Sequence, residues 1–256
     1  MKVLFATSRA AMLEAWSNRR SFWLQVTIMV ANDLALVAFW LVFFSRVGSV
    51  RGWDQSKVLL LYAILAVVSG LTFGLFHNTR RIGEIVSSGE LDSILALPVE
   101  PLPYLLVRRV NTAILGDLAF GPLLFVVACH PTPERTGLFL LGSLCGTTVM
   151  ISFLVMLGSL ALVTGGRGEA ADLGFNAVLI VASYPLDLFG GALKLVMFTL
   201  VPAAFITGLP TELVDSFDPL TAAGLAGAAI AFAGAAWLLF EAGLRGYRSG
   251  ARWTRA

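Results

Sequence analysis

Residues 173–209 read LGFNAVLIVASYPLDLFGGALKLVMFTLVPAAFITGL. The stretch is apolar and long enough for two short membrane crossings, since a bilayer core takes about 20 residues per helix. It is broken by Tyr184-Pro185-Leu186-Asp187, by Gly190-Gly191, by Lys194 and by Pro202. One crossing or two decides the span count and the side on which the C-terminus lies.

Around it lie apolar runs at 22–45, 58–79, 104–129, 137–164 and 220–242. If the broken stretch crosses once, at 171–185, six spans result and both termini share a side. Thirteen of the eighteen basic residues then fall on that side, including Arg19, Arg20, Arg80, Arg81, Arg108, Arg109, Arg245 and Arg248. Arg46, Arg51, Lys57, Arg135 and Lys194 fall on the other. Cytoplasmic loops carry the excess of Lys and Arg, so both termini are expected in the cytoplasm. A seventh crossing would export the arginine-rich tail, 243–256. Residues 186–209 are therefore expected to form a re-entrant hairpin on the outer face, broken by proline and glycine. Irregular backbone at membrane depth needs protein or a water-filled cavity around it. One long kinked helix plus an interfacial segment is the alternative.

Composition agrees. The chain is 57% hydrophobic and 13% charged, against about 45–50% and about 25% in soluble domains. An ordinary soluble enzyme, a disordered regulator and a disulfide-rich secreted domain are excluded. A net charge of +2 is no footprint for nucleic acid. Cys129 and Cys145 sit in apolar runs without metal-ligand spacing and read as packing residues.

Two aqueous segments are long enough to act. Residues 1–21 predict a helix along the cytoplasmic interface, anchored by Trp16 and Trp23, or else a leader that fixes orientation. Residues 80–98 carry more pattern. Ile82, Ile85 and Val86 fall at helical spacing, Gly89 breaks the run, and Leu91, Ile94 and Leu95 resume it before Pro98. Ser87 and Glu90 have capping-box spacing, with Glu90 and Asp92 near the positive end of the second helix. Such a segment either docks a partner or lies on the headgroups as a linker.

No built-in motor or catalytic site is legible. Lys2, Lys57 and Lys194 are followed by Val3, Val58 and Leu195, so there is no P-loop. His77 and His130 stand apart, no HExxH or GxSxG occurs, and no metal site is expected. Polar groups inside spans usually face a bundle interior or cavity. Here these are Asn32, Asp33, Asn111 and Asp117, with Asn176 near the start of the fifth span. A lipid-facing carboxylate at mid-span costs about 2.5–3.5 kcal/mol, so Asp33 is expected to face other helices. These groups line a substrate path or fix helix packing.

Three places resemble a known family: the segment Gly89-Glu90-Leu91-Asp92-Ser93-Ile94-Leu95-Ala96-Leu97-Pro98; Tyr184-Pro185-Leu186-Asp187 with the Phe198–Phe205 run; and Gly243-Leu244-Arg245-Gly246-Tyr247-Arg248. Together they resemble the ABC-2-type permeases, membrane subunits of bacterial ATP-binding-cassette exporters, and more narrowly a six-span branch of about this length. Gly246 departs from the pattern, where a bulkier, often basic residue is expected. The resemblance implies an all-α integral membrane fold with six transmembrane helices. An N-terminal interfacial helix, a cytoplasmic coupling helix and a re-entrant outer hairpin before the last span complete it. It implies a bacterial inner-membrane location, a cytoplasmic ATPase dimer as partner, and a second permease subunit, with a lean toward a heterodimer. ATP and Mg would be bound by the ATPase, and no cofactor by this chain. Glu84, Gly89, Glu90, Leu91, Asp92, Leu95 and Pro98 would form the coupling element. Asn32, Asp33, Asn111 and Asp117 would line the path of an amphipathic or hydrophobic substrate, drug-like, cationic or lipid-like. Tyr184, Pro185, Gly190, Gly191 and Pro202 would shape the hairpin. A stand-alone channel or secondary transporter is the alternative function.

Overall fold

The computed structural model describes residues 19–111, 114–164 and 169–247, with residues 6, 7, 9, 10 and 13. Most of the expected interfacial helix at 1–21, and the tail from 248, lie outside the described residues. The helices are α1 (Arg19–Val47), α2 (Gln55–Ser69), α3 (Ile82–Ser87), α4 (Glu90–Leu95), α5 (Pro101–Val107) and α6 (Leu115–Ala128). Next come α7 (Pro133–Thr164), α8 (Glu169–Ala182), α9 (Gly191–Thr199), α10 (Leu209–Asp215) and α11 (Pro219–Gly246). Among the described residues there is no strand; the one extended pairing is an isolated bridge between Val50 and Trp53. Below, "upper" denotes the end bearing residues 48–54 and "lower" the end bearing residues 76–100.

The core is built on α2. Its N-cap, Asp54, accepts a hydrogen bond from the Lys57 N–H at 2.9 Å. Val58 to Val68 are buried apart from Tyr62, which is half-buried. The helix then widens into a π-helical segment, Gly70–Leu75. Helix α6 runs antiparallel to α2 at very close range. A Cβ on Gly121 would stand 2.6 Å from the Ala63 carbonyl oxygen, and one on Gly70 would stand 2.6 Å from the Leu118 nitrogen. In lipid, where apolar burial gives little drive, small residues allow backbones to approach and gain dispersion contact. Helix α7 packs against both α11 and the core around α2, and Phe125 of α6 stacks on its Phe139 at 4.3 Å.

Among the described residues, four helical stretches are long and apolar enough to cross a membrane: Phe22–Val47, Gln55–Leu75, Pro133–Thr164 and Pro219–Gly246. Helices α6 and α8 have 14 residues each, about 21 Å of rise, and fall short by length. The continuous third span expected over 104–129 is corrected: α5 ends at Val107 and α6 begins only at Leu115. The break coincides with two contacts to distant parts of the chain. Arg108 is drawn to Glu90 at 2.9 Å, and the Asn111 N–H donates to the Gly74 carbonyl at 2.8 Å, inside the π segment. The fifth helix, expected over 171–185, is α8 over 169–182.

Residues 183–218 leave the upper end and come back to it. Asp187 meets Trp53 at the upper loop. The chain then descends through α9, so that the Ile206 backbone lies against Gly146 and the Thr207 hydroxyl donates to the Ala182 carbonyl at 2.8 Å. It rises again through α10, with Pro210 against Gly142, until Glu212 reaches Lys57 at 2.8 Å. The rising limb thus extends to Asp215, six residues beyond the expected boundary at 209.

Candidate functional site

The lower surface is formed by α3, α4 and α5. Gly89 separates α3 from α4 with φ 78°, a left-handed conformation that glycine adopts without strain. It also stands at the N-cap of α4 and supplies no side-chain cap. The expected capping box is therefore absent: Ser87 donates instead to the Glu84 carbonyl, at 3.2 Å. Ile82, Ile85, Val86, Leu91 and Ile94 are buried in one cluster with Leu102 and Leu105 of α5, Val155, Ala161 and Leu162 of α7, and Ala236 and Phe240 of α11. Ile82 sits in the space left by Gly158, where a Cβ would approach to 2.7 Å. The Asn78 amide donates to the Leu105 carbonyl at 2.8 Å and ties α5 back to the turn below α2.

Charge pairs hold the rim. Glu90 binds Arg108 at 2.9 Å with Arg109 at 3.7 Å, and Arg81 binds Glu84 at 2.8 Å. The Arg81 guanidinium holds the Glu84 carboxyl below its ordinary range. Arg80 pairs with Asp172 of α8 at 2.8 Å and lies over the Phe175 ring at 4.1 Å.

The seven coupling residues named from sequence therefore divide. Leu91 is fully buried and holds the platform together. Glu90 is committed to Arg108, Gly89 forms the left-handed turn between α3 and α4, and Asp92 is half-buried. Glu84, Leu95 and Pro98 face outward, and Leu95 is joined by Leu97, which the sequence reading passed over; the two leucines are 41% and 42% exposed. An exposed leucine pair on a rigid, charge-rimmed platform suits contact with another protein.

The family described as ABC-2 family transporter protein matches this chain over residues 30–251. The chain belongs to the ABC-2 transporter family. No curated protein and no solved structure matches it. ABC-2 permeases generally work with a partner ATP-binding-cassette ATPase, and this chain is accordingly a membrane transport protein.

Of the four path residues, the ABC-2 permease fold brings two together. Asp33 on α1 and Asp117 on α6 stand close to one another, with Asn32 beside Asp33, and one carboxyl oxygen of each is buried without a hydrogen-bond partner. Asp117 is 2% exposed. Asn32 is otherwise exposed on α1, and Asn111 stands apart at the lower break. At the upper end, Asp187 gathers Trp53 Nε1 at 3.1 Å and Lys194 at 2.9 Å, while Arg51 donates to the Asp187 and Leu188 carbonyls. Lys57 bridges Glu212 and Asp215. Apart from Lys194, which is seven residues from Asp187, these partners lie more than a hundred residues apart, and no local sequence signal points to them. Tyr184 and Pro185 turn the chain into this cluster, Gly190 and Gly191 open α9, and Pro202 lies buried at the foot of the excursion.

Proposed function

We propose that this chain is the permease subunit of an ATP-binding-cassette exporter that moves an amphipathic or hydrophobic substrate out of the cytoplasm. In this reading α6 and α8 complete six crossings, both termini are cytoplasmic, and the membrane is the bacterial inner membrane. Residues 186–215 form a re-entrant hairpin on the outer face. A second permease subunit, a related chain rather than a copy, completes the translocator.

The observation that carries the reading is the lower platform. It is welded to α7 and α11 by buried apolar side chains, yet presents Leu95 and Leu97 outward. A platform of this kind transmits work only if the ATP-bound and ATP-free states of its partner hold it differently. The ATPase supplies ATP and Mg; this chain supplies the lever and the path.

The test is reconstitution with an ATP-binding-cassette ATPase that co-purifies with it, in inverted vesicles given a lipophilic fluorescent dye externally. ATP-dependent uptake is expected, and the double variant Leu95→Asp, Leu97→Asp should abolish it while the protein still inserts and stays monodisperse. Full uptake by that variant removes the platform's role. A secondary-transporter reading would draw on the intramembrane Asp33–Asp117 contact. Ion-gradient-driven transport without any ATPase would establish it.

A further inference from the structure

At the upper end a cleft of about 280 Å³ opens between α1, the 50–53 turn, α2 and the 184–188 turn. Seven of its eleven lining residues are aromatic, among them Phe39, Trp40, Phe43, Trp53 and Tyr184. Protein interiors are close-packed, and an apolar void of this kind stays dry unless an apolar group fills it. Its rim is open on the side of α1, where Leu36 is 40% and Phe39 57% exposed. The volume lies at the small end of ligand pockets, which run from roughly 300 to 1,000 Å³, and suits one narrow chain.

A charge stands beside it, on Arg51, the chain neighbour of the lining residue Val50. Val50 and Trp53 exchange backbone hydrogen bonds of 2.9 Å across a two-residue turn made of Arg51 and Gly52, with φ 50° and 82°. Turns of this geometry favour Asn or Gly at the first central position. Arg51 occupies it here, in a left-handed conformation rare for a side chain of its size. Its guanidinium is held by one nitrogen to the carbonyls of Asp187 and Leu188, and Leu188 lines the cleft. Those acceptors are neutral carbonyls and do not offset the guanidinium charge; the nearby Asp187 carboxylate is engaged by Lys194 and Trp53. An aromatic belt marks the level at which acyl chains meet headgroups.

We infer that this cleft binds a single alkyl chain bearing an anionic head group, with the chain among the aromatic rings and the head at Arg51. The ligand is a free fatty acid or a lysophospholipid with a net negative head group, either resident from the bilayer or in transit as cargo. The inference requires only that the helices span a membrane, not that the chain exports.

The purified chain in nanodiscs, without any ATPase, is exposed to palmitate carrying a mid-chain diazirine, irradiated and mapped by peptide mass spectrometry. Adducts are expected within residues 39–44 and 184–188, competed by plain palmitate far better than by hexadecyltrimethylammonium. Arg51→Gln should weaken palmitate competition roughly tenfold, the scale of one lost charge-assisted contact, and Arg51→Lys should recover part of it. Leu36→Phe, which fills the cleft from its exposed rim, should remove the adducts without lowering thermal stability. Adducts spread evenly over the lipid-facing sides of α1 and α11, indifferent to competitor and to Leu36→Phe, would overturn the site. Equal competition by the cationic chain would overturn the head-group assignment. A fatty acid or lysophospholipid retained through purification identifies a bilayer lipid. ATP-driven movement of labelled palmitate in the reconstituted complex identifies cargo. Either result supports the site.

Discussion

Single glycines set the distances in this bundle. At Gly121 a methyl group would meet the Ala63 carbonyl oxygen of the facing helix, a backbone atom that cannot rotate away. Gly121→Ala should therefore cost about 1–3 kcal/mol, as overpacked cores do. Gly227 on α11 faces open space, so Gly227→Ala should be neutral or slightly stabilising through helix propensity. Chemical-denaturation midpoints of the two variants in detergent should move apart in that order. A second prediction concerns Asp187. The Lys194 ammonium, aided by the Trp53 indole N–H, holds its carboxyl below the ordinary range although burial pushes the other way. A group depressed in the folded state contributes stability above its unfolded value, near pH 4, and loses it as the pH falls through its folded value. The thermal midpoint should drop over that acid interval, and Asp187→Asn should flatten this part of the curve. An unchanged acid limb in the variant would show that other carboxyls account for it.

At the scale of elements, the pair α3–α4 behaves as one unit with two faces. Leu91 is buried among α5, α7 and α11, whereas Leu95, one turn later, is open. Leu91→Ala should destabilise the protein by about 2–5 kcal/mol, the usual cost of such a core truncation. Leu95→Ala should leave stability nearly unchanged; the two denaturation curves decide. The periodicity of Ile82, Ile85, Val86, Leu91 and Ile94 was legible because helical spacing encodes which residues share a face. Which neighbours that face meets was not legible, since Gly158, Leu162 and Phe240 lie in helices whose own patterns are apolar all round. The split of the third helical region was hidden for a similar reason. Residues 104–129 are apolar enough to read as one run, and only the long-range pull of Glu90 and Gly74 interrupts it. The broken stretch at 186–209 was readable because Pro and Gly punctuate backbone directly, but its rising limb depends on Lys57, more than 150 residues earlier.

For the whole molecule, the distribution of basic residues and the packing of the 183–218 excursion bear on the same topology. Single cysteines at Ser93 and Phe217, both exposed, should react with an impermeant maleimide from opposite sides of the membrane, Ser93 from the cytoplasm. The native Cys129 and Cys145 are buried and should give little background. Labelling of both positions from one side would refute the six-crossing arrangement. Membrane class and family resemblance were readable from composition and segment order, which survive without knowledge of contacts. The carboxyl pair was not, because Asp33 and Asp117 are brought together only by the assembly of α1 against α6.

That pair also bears on how the chain is made. Some 80 residues separate the two aspartates, which a ribosome takes about 4–16 s to add. Until α6 emerges, α1 holds a carboxyl group with its eventual partner still unsynthesised. Through that interval, placing α1 alone in lipid carries the cost of an unpartnered mid-span carboxyl, about 2.5–3.5 kcal/mol. A pause in translation between the two helices lengthens the time for which that cost is borne.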